Sequence, residues 1–165
     1  MRYWYRKGLY RILNQGVSGE LVTVDFVRRL LLYSLVGGSG IIVNEAVFAF
    51  LQRGADYYLA SIVAIEVSIL WNFLLNDMIT FRDRRHGRLG ERAFKFHVTA
   101  ALGAVVQFVA TAVLIAQAKG VNLVIAIVDP PNLPYVEASM LNLVGIILGF
   151  FLRFALSYSW VWRRR

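Results

Sequence analysis

Glu45, Glu66 and Arg153 are ionisable side chains embedded in long apolar runs, and five amides, Asn44, Asn72, Asn76, Gln107 and Asn142, are embedded with them. Charge inside a hydrocarbon layer is expensive and turns toward a bundle interior, so each is a candidate for binding a polar ligand or passing a proton. Counted from the edges of the apolar runs, Glu45 and Glu66 lie in the outer half, and Asn72, Asn76 and Arg153 in the inner half. The two carboxylates have no cation at their depth, so they are neutral in lipid or hydrated in a cavity. Bland roles compete with these: an arginine near the edge can snorkel to the headgroups, and intramembrane amides also join helices.

Glu66, Phe73 and Asp77 recur at steps of seven and four and share one helix stripe, which adds Asp77 to the polar set. Asn142, Gly145, Gly149 and Arg153 form a second stripe, and its Gly145 and Gly149 have the G-x-x-x-G spacing that lets helices approach closely. Gly37, Gly40 and Gly103 read as packing glycines on the same grounds. No metal site is expected, because there is no cysteine and His86 and His97 are too few ligands. No nucleophile–base pair or phosphate-binding glycine loop is present either, so the chain reads as a non-enzyme without a cofactor.

Two helix hairpins must position these groups. Trp71 to Arg82 aligns with Leu152 to Arg163, each an apolar run with polar groups that ends in an aromatic followed by arginine. Arg29 followed by Gly37 to Asn44 aligns with Arg92 followed by Ala100 to Gln107, at the same spacing from arginine to glycine. An aromatic before arginine marks a helix leaving a bilayer, which places Phe81 and Trp162 at the headgroups. The chain is therefore two copies of one hairpin. Because both copies start and end on the same side, they are expected to be parallel repeats.

The 165 residues are 58% hydrophobic with a mean hydropathy of +0.57, too apolar for an ordinary soluble domain. Four runs are long enough to span, at about 30–51, 58–80, 94–117 and 136–160. The expected fold class is an all-α membrane protein with four transmembrane helices, within a membrane domain of residues 29–165. Residues 1–28 alternate aromatics with basic groups and are expected to form either an amphipathic helix lying in the headgroup layer or a partly ordered basic tail drawn to anionic lipid, with a break at Gly16 and Gly19 and Thr23 capping the next helix. No cleavable signal peptide is expected, since the first 29 residues hold six basic groups and no uninterrupted apolar stretch. The short apolar stretch 121–128 either extends the third helix or lies in the outer interface.

The net charge of +8 is explained by topology. Fifteen cations flank the spans on one side, against Arg53 and Lys119 on the other. The positive-inside rule places both termini in the cytoplasm of a plasma membrane protein, and leaves little basis for a nucleic-acid partner.

The motifs at Leu35 to Gly40, Trp71 to Asp77 and Thr80 to Arg82, with a degenerate copy at Phe154 to Arg163, resemble the GtrA-like family. The second copy departs in having Arg153 and Ser157 where the family pattern has asparagines. The resemblance implies movement of a polyprenyl-phosphate-linked sugar across the bilayer for envelope polysaccharide glycosylation, beside a membrane glycosyltransferase. On that basis Arg153, Arg82 and Arg163 suit the phosphate, by charge and planar fork geometry. Glu45, Glu66, Asn44, Asn72, Asn76, Asp77, Gln107 and Asn142 suit sugar hydroxyls. Four helices enclose a narrow interior, which predicts a lateral opening or a homodimer. Two other readings stay open: a scaffold that recruits or dimerises the glycosyltransferase without transport, and a proton-coupled exporter that uses Glu45 or Glu66.

Overall fold

The computed structural model describes the backbone of residues 2–164 and the side chains of residues 23–164. Every element among the described residues is helical. The elements are α1 (Arg2–Leu51), α2 (Tyr57–Leu75), α3 (Leu89–Lys119), α4 (Leu123–Val128) and α5 (Tyr135–Leu156). A π-helical turn follows α2 at Asn76–Thr80, and another follows α5 at Ser157–Val161. The chain divides into two compact units, Met1–Arg82 and Asp83–Arg165.

Four helices are long and apolar enough to cross a membrane: Thr23–Leu51, Tyr57–Thr80, Leu89–Lys119 and Tyr135–Val161. They overlap the four expected runs, with the first starting seven residues earlier and the third five residues earlier than expected. Large apolar side chains along them stand exposed, Leu35 at 71% and Ile42 at 72%. Such surface needs hydrocarbon around it, and helices satisfy their backbone polar groups without help from the lipid.

Thr23 lies inside α1 and caps nothing, because the helix continues through it. The helix break expected before Thr23 is therefore absent from the element. The headgroup placement of the preceding segment lies outside the described side chains.

In the first unit, α1 packs on α2 across a short turn. Asp56 stops that turn and starts α2 by accepting hydrogen bonds from the amides of Tyr58, at 2.9 Å, and Leu59, at 3.3 Å. Ala60 and Ala64 are buried and let the helices approach.

In the second unit, α3 packs on α5. Gly120 ends α3 in a left-handed conformation, φ 65°, and the Val121 amide reaches back to the Ala116 carbonyl at 3.0 Å. Asn122 then caps α4 by accepting from the Ile125 amide at 2.9 Å. Residues 123–128 are thus a separate short helix and not a continuation of the third span.

Candidate functional site

Arg29, Tyr33 and Gly40 recur along one face of α1 at steps of four and seven. Arg29 is 4% exposed. It forms a salt bridge with Asp25 at 2.9 Å and donates through Nη1 to the Thr80 carbonyl at 2.7 Å. That bond holds the end of the π-turn, whose closing amide, Phe81 N–H, donates to the Asn76 carbonyl at 2.8 Å. Phe81 is fully buried, edge-on to Tyr33 with ring centres 6.4 Å apart and 5.6 Å from the Arg29 guanidinium carbon.

The wider turn leaves Asn76, Asp77 and Thr80 all buried. Asn76 donates through its amide nitrogen to the Asn72 carbonyl at 2.8 Å. Asn72 itself lies over Gly40, where a Cβ would collide with the amide. Asn72 Oδ1, Asn76 Oδ1 and Thr80 Oγ1 are buried without a hydrogen-bond partner. The first hairpin therefore holds three unsatisfied oxygens within two helical turns of an apolar span.

The second hairpin repeats this arrangement with different side chains. Arg92 is buried, and Phe96 packs against the fully buried Trp162 with ring centres 5.7 Å apart. The Trp162 amide closes a π-turn on the Ser157 carbonyl at 2.9 Å. Arg153 lies over Gly103: a Cβ at position 103 would sit 3.0 Å from Arg153 Nε and 3.0 Å from the Gly149 carbonyl oxygen. Arg153 Nε is buried without a hydrogen-bond partner. Gly145 faces the Thr111 side chain and the Gln107 carbonyl, so the α3–α5 seam is backbone against backbone.

A family model described as the GtrA/DPMS transmembrane domain matches residues 32–162. The chain belongs to the GtrA/DPMS transmembrane-domain family. The matched segment contains both glycine-backed polar residues, both π-turns and both buried aromatics. A dolichol-phosphate mannosyltransferase of Pyrococcus furiosus is 35% identical over 159 residues, which cover 96% of this chain and 38% of that protein. The chain thus spans well under half the length of this relative.

That comparison overturns the reading of the chain as a non-enzyme. A protein that carries a region like nearly the whole of this chain is named for a glycosyl-transfer activity. Residues within the spans do not report an activity named for a protein of which a region like this chain is only 38%.

The other predicted site residues of this GtrA/DPMS chain are dispersed. Gln107 donates to Asn142 at 3.4 Å, and both line a groove of about 370 Å³ beside α4. Thr111, whose hydroxyl is buried without a partner, lines the same groove. Glu45 and Glu66 are exposed on the first hairpin, and Asn44 is half-buried. Glu66 shares the helix stripe of Phe73 and Asp77 but is exposed where those two are buried, so burial along that stripe does not extend as far as Glu66. Arg82 and Arg163 are exposed. A Cβ on Gly37 would meet nothing within 4 Å, unlike one on Gly40.

Two groups of residues are buried where the sequence suggested exposed side chains. Phe81 and Trp162 are each 0% exposed because Tyr33 or Phe96 packs over it. Arg29, Arg84 and Arg92, read from the sequence only as topology charges, are also buried, each donating hydrogen bonds within its own unit. For Arg29 and Arg92 the signal lay in the sequence, in the shared spacing to an aromatic four residues on and a glycine eleven residues on. Nothing comparable marks Arg84.

Proposed function

We propose that the chain handles a polyprenyl-phosphate-linked sugar within the membrane, exchanging it with a membrane glycosyltransferase and moving its polar head across the bilayer. The observation that carries this reading is the repeated glycine-backed polar residue, Asn72 over Gly40 and Arg153 over Gly103, with buried polar atoms left unpaired. Each such atom costs about 1–3 kcal/mol, and several together are large against the about 5–15 kcal/mol that stabilises a domain. A ligand with a phosphate and several hydroxyls offsets that cost.

In this reading Arg153 takes the phosphate, and Asn72, Asn76 and Thr80 offer acceptors to sugar hydroxyls. Gln107 and Asn142 serve the sugar further along the second hairpin. The isoprenoid tail stays in lipid, so only the head needs a path. The arginine-rich ends face the cytoplasm of a plasma membrane by the positive-inside rule. The name of the Pyrococcus furiosus relative makes a mannosyl lipid the first substrate to try.

The test is reconstitution of the purified chain in liposomes with a polyprenyl-phosphate mannose, scoring its arrival in the opposite leaflet. Arrival faster than in protein-free liposomes is expected; equal rates would remove transport. A second reading is favoured by the extent of the match: the chain covers 38% of a protein named as a mannosyltransferase. There the chain presents the lipid carrier for glycosyl transfer without moving it. Faster sugar transfer to polyprenyl phosphate by an added glycosyltransferase, with no transbilayer movement, would select it.

A further inference from the structure

At the arginine-rich end of the second unit lies a cleft of about 530 Å³, between the start of α3 and the π-turn that ends the chain's last span. Its lining includes five cations, Arg84, Arg92, Lys95, Arg163 and Arg164, against one carboxylate, Glu91. We propose that this cleft is a recognition site for a phosphate monoester. The proposal rests on the reading above only for which lipid carries the phosphate.

The cleft is built. One wall is the loop before α3, which turns at Gly87 with φ 76°, a left-handed conformation that favours glycine. Arg92 reaches back from α3 and fixes that loop, donating to the carbonyls of His86 at 3.1 Å and Gly87 at 2.9 Å. The opposite wall is held by Trp162, fully buried on Phe96. Arg84 is 2% exposed, with its guanidinium carbon 4.3 Å from the Tyr158 ring centre, and it donates to the Tyr158 hydroxyl at 3.2 Å. Two guanidinium groups are thus held in place at low exposure, while Arg163 and Arg164 are exposed beside them and Lys95, half-buried, pairs with Glu91 at 2.5 Å.

Charge and size choose the ligand class. A phosphate monoester carries about −1.5 to −2 near neutral pH and three strong acceptor oxygens, which suits fixed arginine forks better than a diester does. The volume also leaves room for the start of the ester chain that bears the phosphate. Position favours a phosphate borne by lipid: the spans begin at Leu89 and end at Val161, so the cleft opens at their edge. Trp160 lines it, half-exposed with the Lys95 ammonium 5.8 Å from its ring centre, as befits an aromatic at the bilayer surface.

The test uses the full chain in nanodiscs of zwitterionic lipid doped with polyprenyl phosphate, phosphatidic acid or phosphatidylglycerol, reading binding from the phosphorus resonance of the doped lipid. Both monoesters should bind and the diester should bind at least about tenfold more weakly. Lys95→Gln with Arg163→Gln should weaken monoester binding at least about tenfold, from two charge-assisted hydrogen bonds lost. Arg85→Gln with Arg88→Gln, which removes the same charge outside the cleft, should leave it within about threefold. Equal losses in the two double variants, or a diester bound as tightly as a monoester, would overturn the site. Inorganic phosphate is the remaining arm: failure to compete places the ligand in the membrane, and full competition keeps the site but makes its ligand soluble. Loss of the cleft would leave the transport reading standing, because that reading is scored at Arg153 and Asn72.

Discussion

Arg153 lies over Gly103 in the second hairpin where Asn72 lies over Gly40 in the first. The two glycines serve the same end, leaving space beside the backbone for a polar side chain that has no room elsewhere in an apolar seam. What differs is the cargo: a neutral amide in one hairpin and a cation in the other. A charge that occupies the place of an amide, at a site built to hold either, is the strongest indication that Arg153 has a ligand role.

Filling either glycine should displace the polar residue before it unfolds the hairpin. Gly103→Ala puts a methyl group 3.0 Å from both Arg153 Nε and the Gly149 carbonyl oxygen. We expect destabilisation of about 1–3 kcal/mol from overpacking, read as a lowered melting temperature in detergent. Gly37→Ala should have no such effect, since that position has open space.

Arg29 should act as the latch of the first π-turn. Arg29→Ala removes the ion pair with Asp25 and frees the Thr80 carbonyl, a loss of about 3–5 kcal/mol for a fully buried pair. Asp25 is 21% exposed, so the lower end or less is expected. Amide exchange at Phe81 should quicken, because its bond to the Asn76 carbonyl closes the turn that Arg29 holds.

Four spans, their order in two hairpins and the repeat itself were legible in the sequence, because hydropathy and the arginine-to-glycine spacing report them directly. The α1 continuity was not. Glycine costs about 1 kcal/mol in a helix interior, which is too little to end a helix, so Gly16 and Gly19 gave a false stop. The π-turns left no trace, since one residue added to a turn shifts the face on which Asn76, Thr80 and Ser157 fall without altering composition. Phe81 and Trp162 misled for a related reason: an aromatic before arginine reads as a headgroup anchor, and only the tertiary contacts with Tyr33 and Phe96 reveal burial.

Arg84 and Tyr158 offer a test of the second unit's polar end. Arg84→Lys keeps the charge but loses the planar group stacked on the ring. We expect a loss of about 0.5–2 kcal/mol from the cation–π contact. Tyr158→Phe should lose less, because it removes only the hydroxyl that accepts from Arg84 at 3.2 Å. Paired melting curves of the two single variants and the double variant give the coupling between them.

The most direct measurement compares wild type, Asn72→Ala and Arg153→Asn in liposomes loaded with a polyprenyl-phosphate mannose, following the lipid's appearance in the opposite leaflet at matched protein insertion. Arg153→Asn copies the side chain that the first hairpin holds at the equivalent place, so it should fold and insert. Transfer should fall at least about tenfold in Arg153→Asn, from loss of a charge-assisted pair with the phosphate, and less in Asn72→Ala. Transfer at the wild-type rate in Arg153→Asn would contradict a phosphate-binding role for the guanidinium, and with it the central claim that this hairpin carries a lipid-linked phosphate.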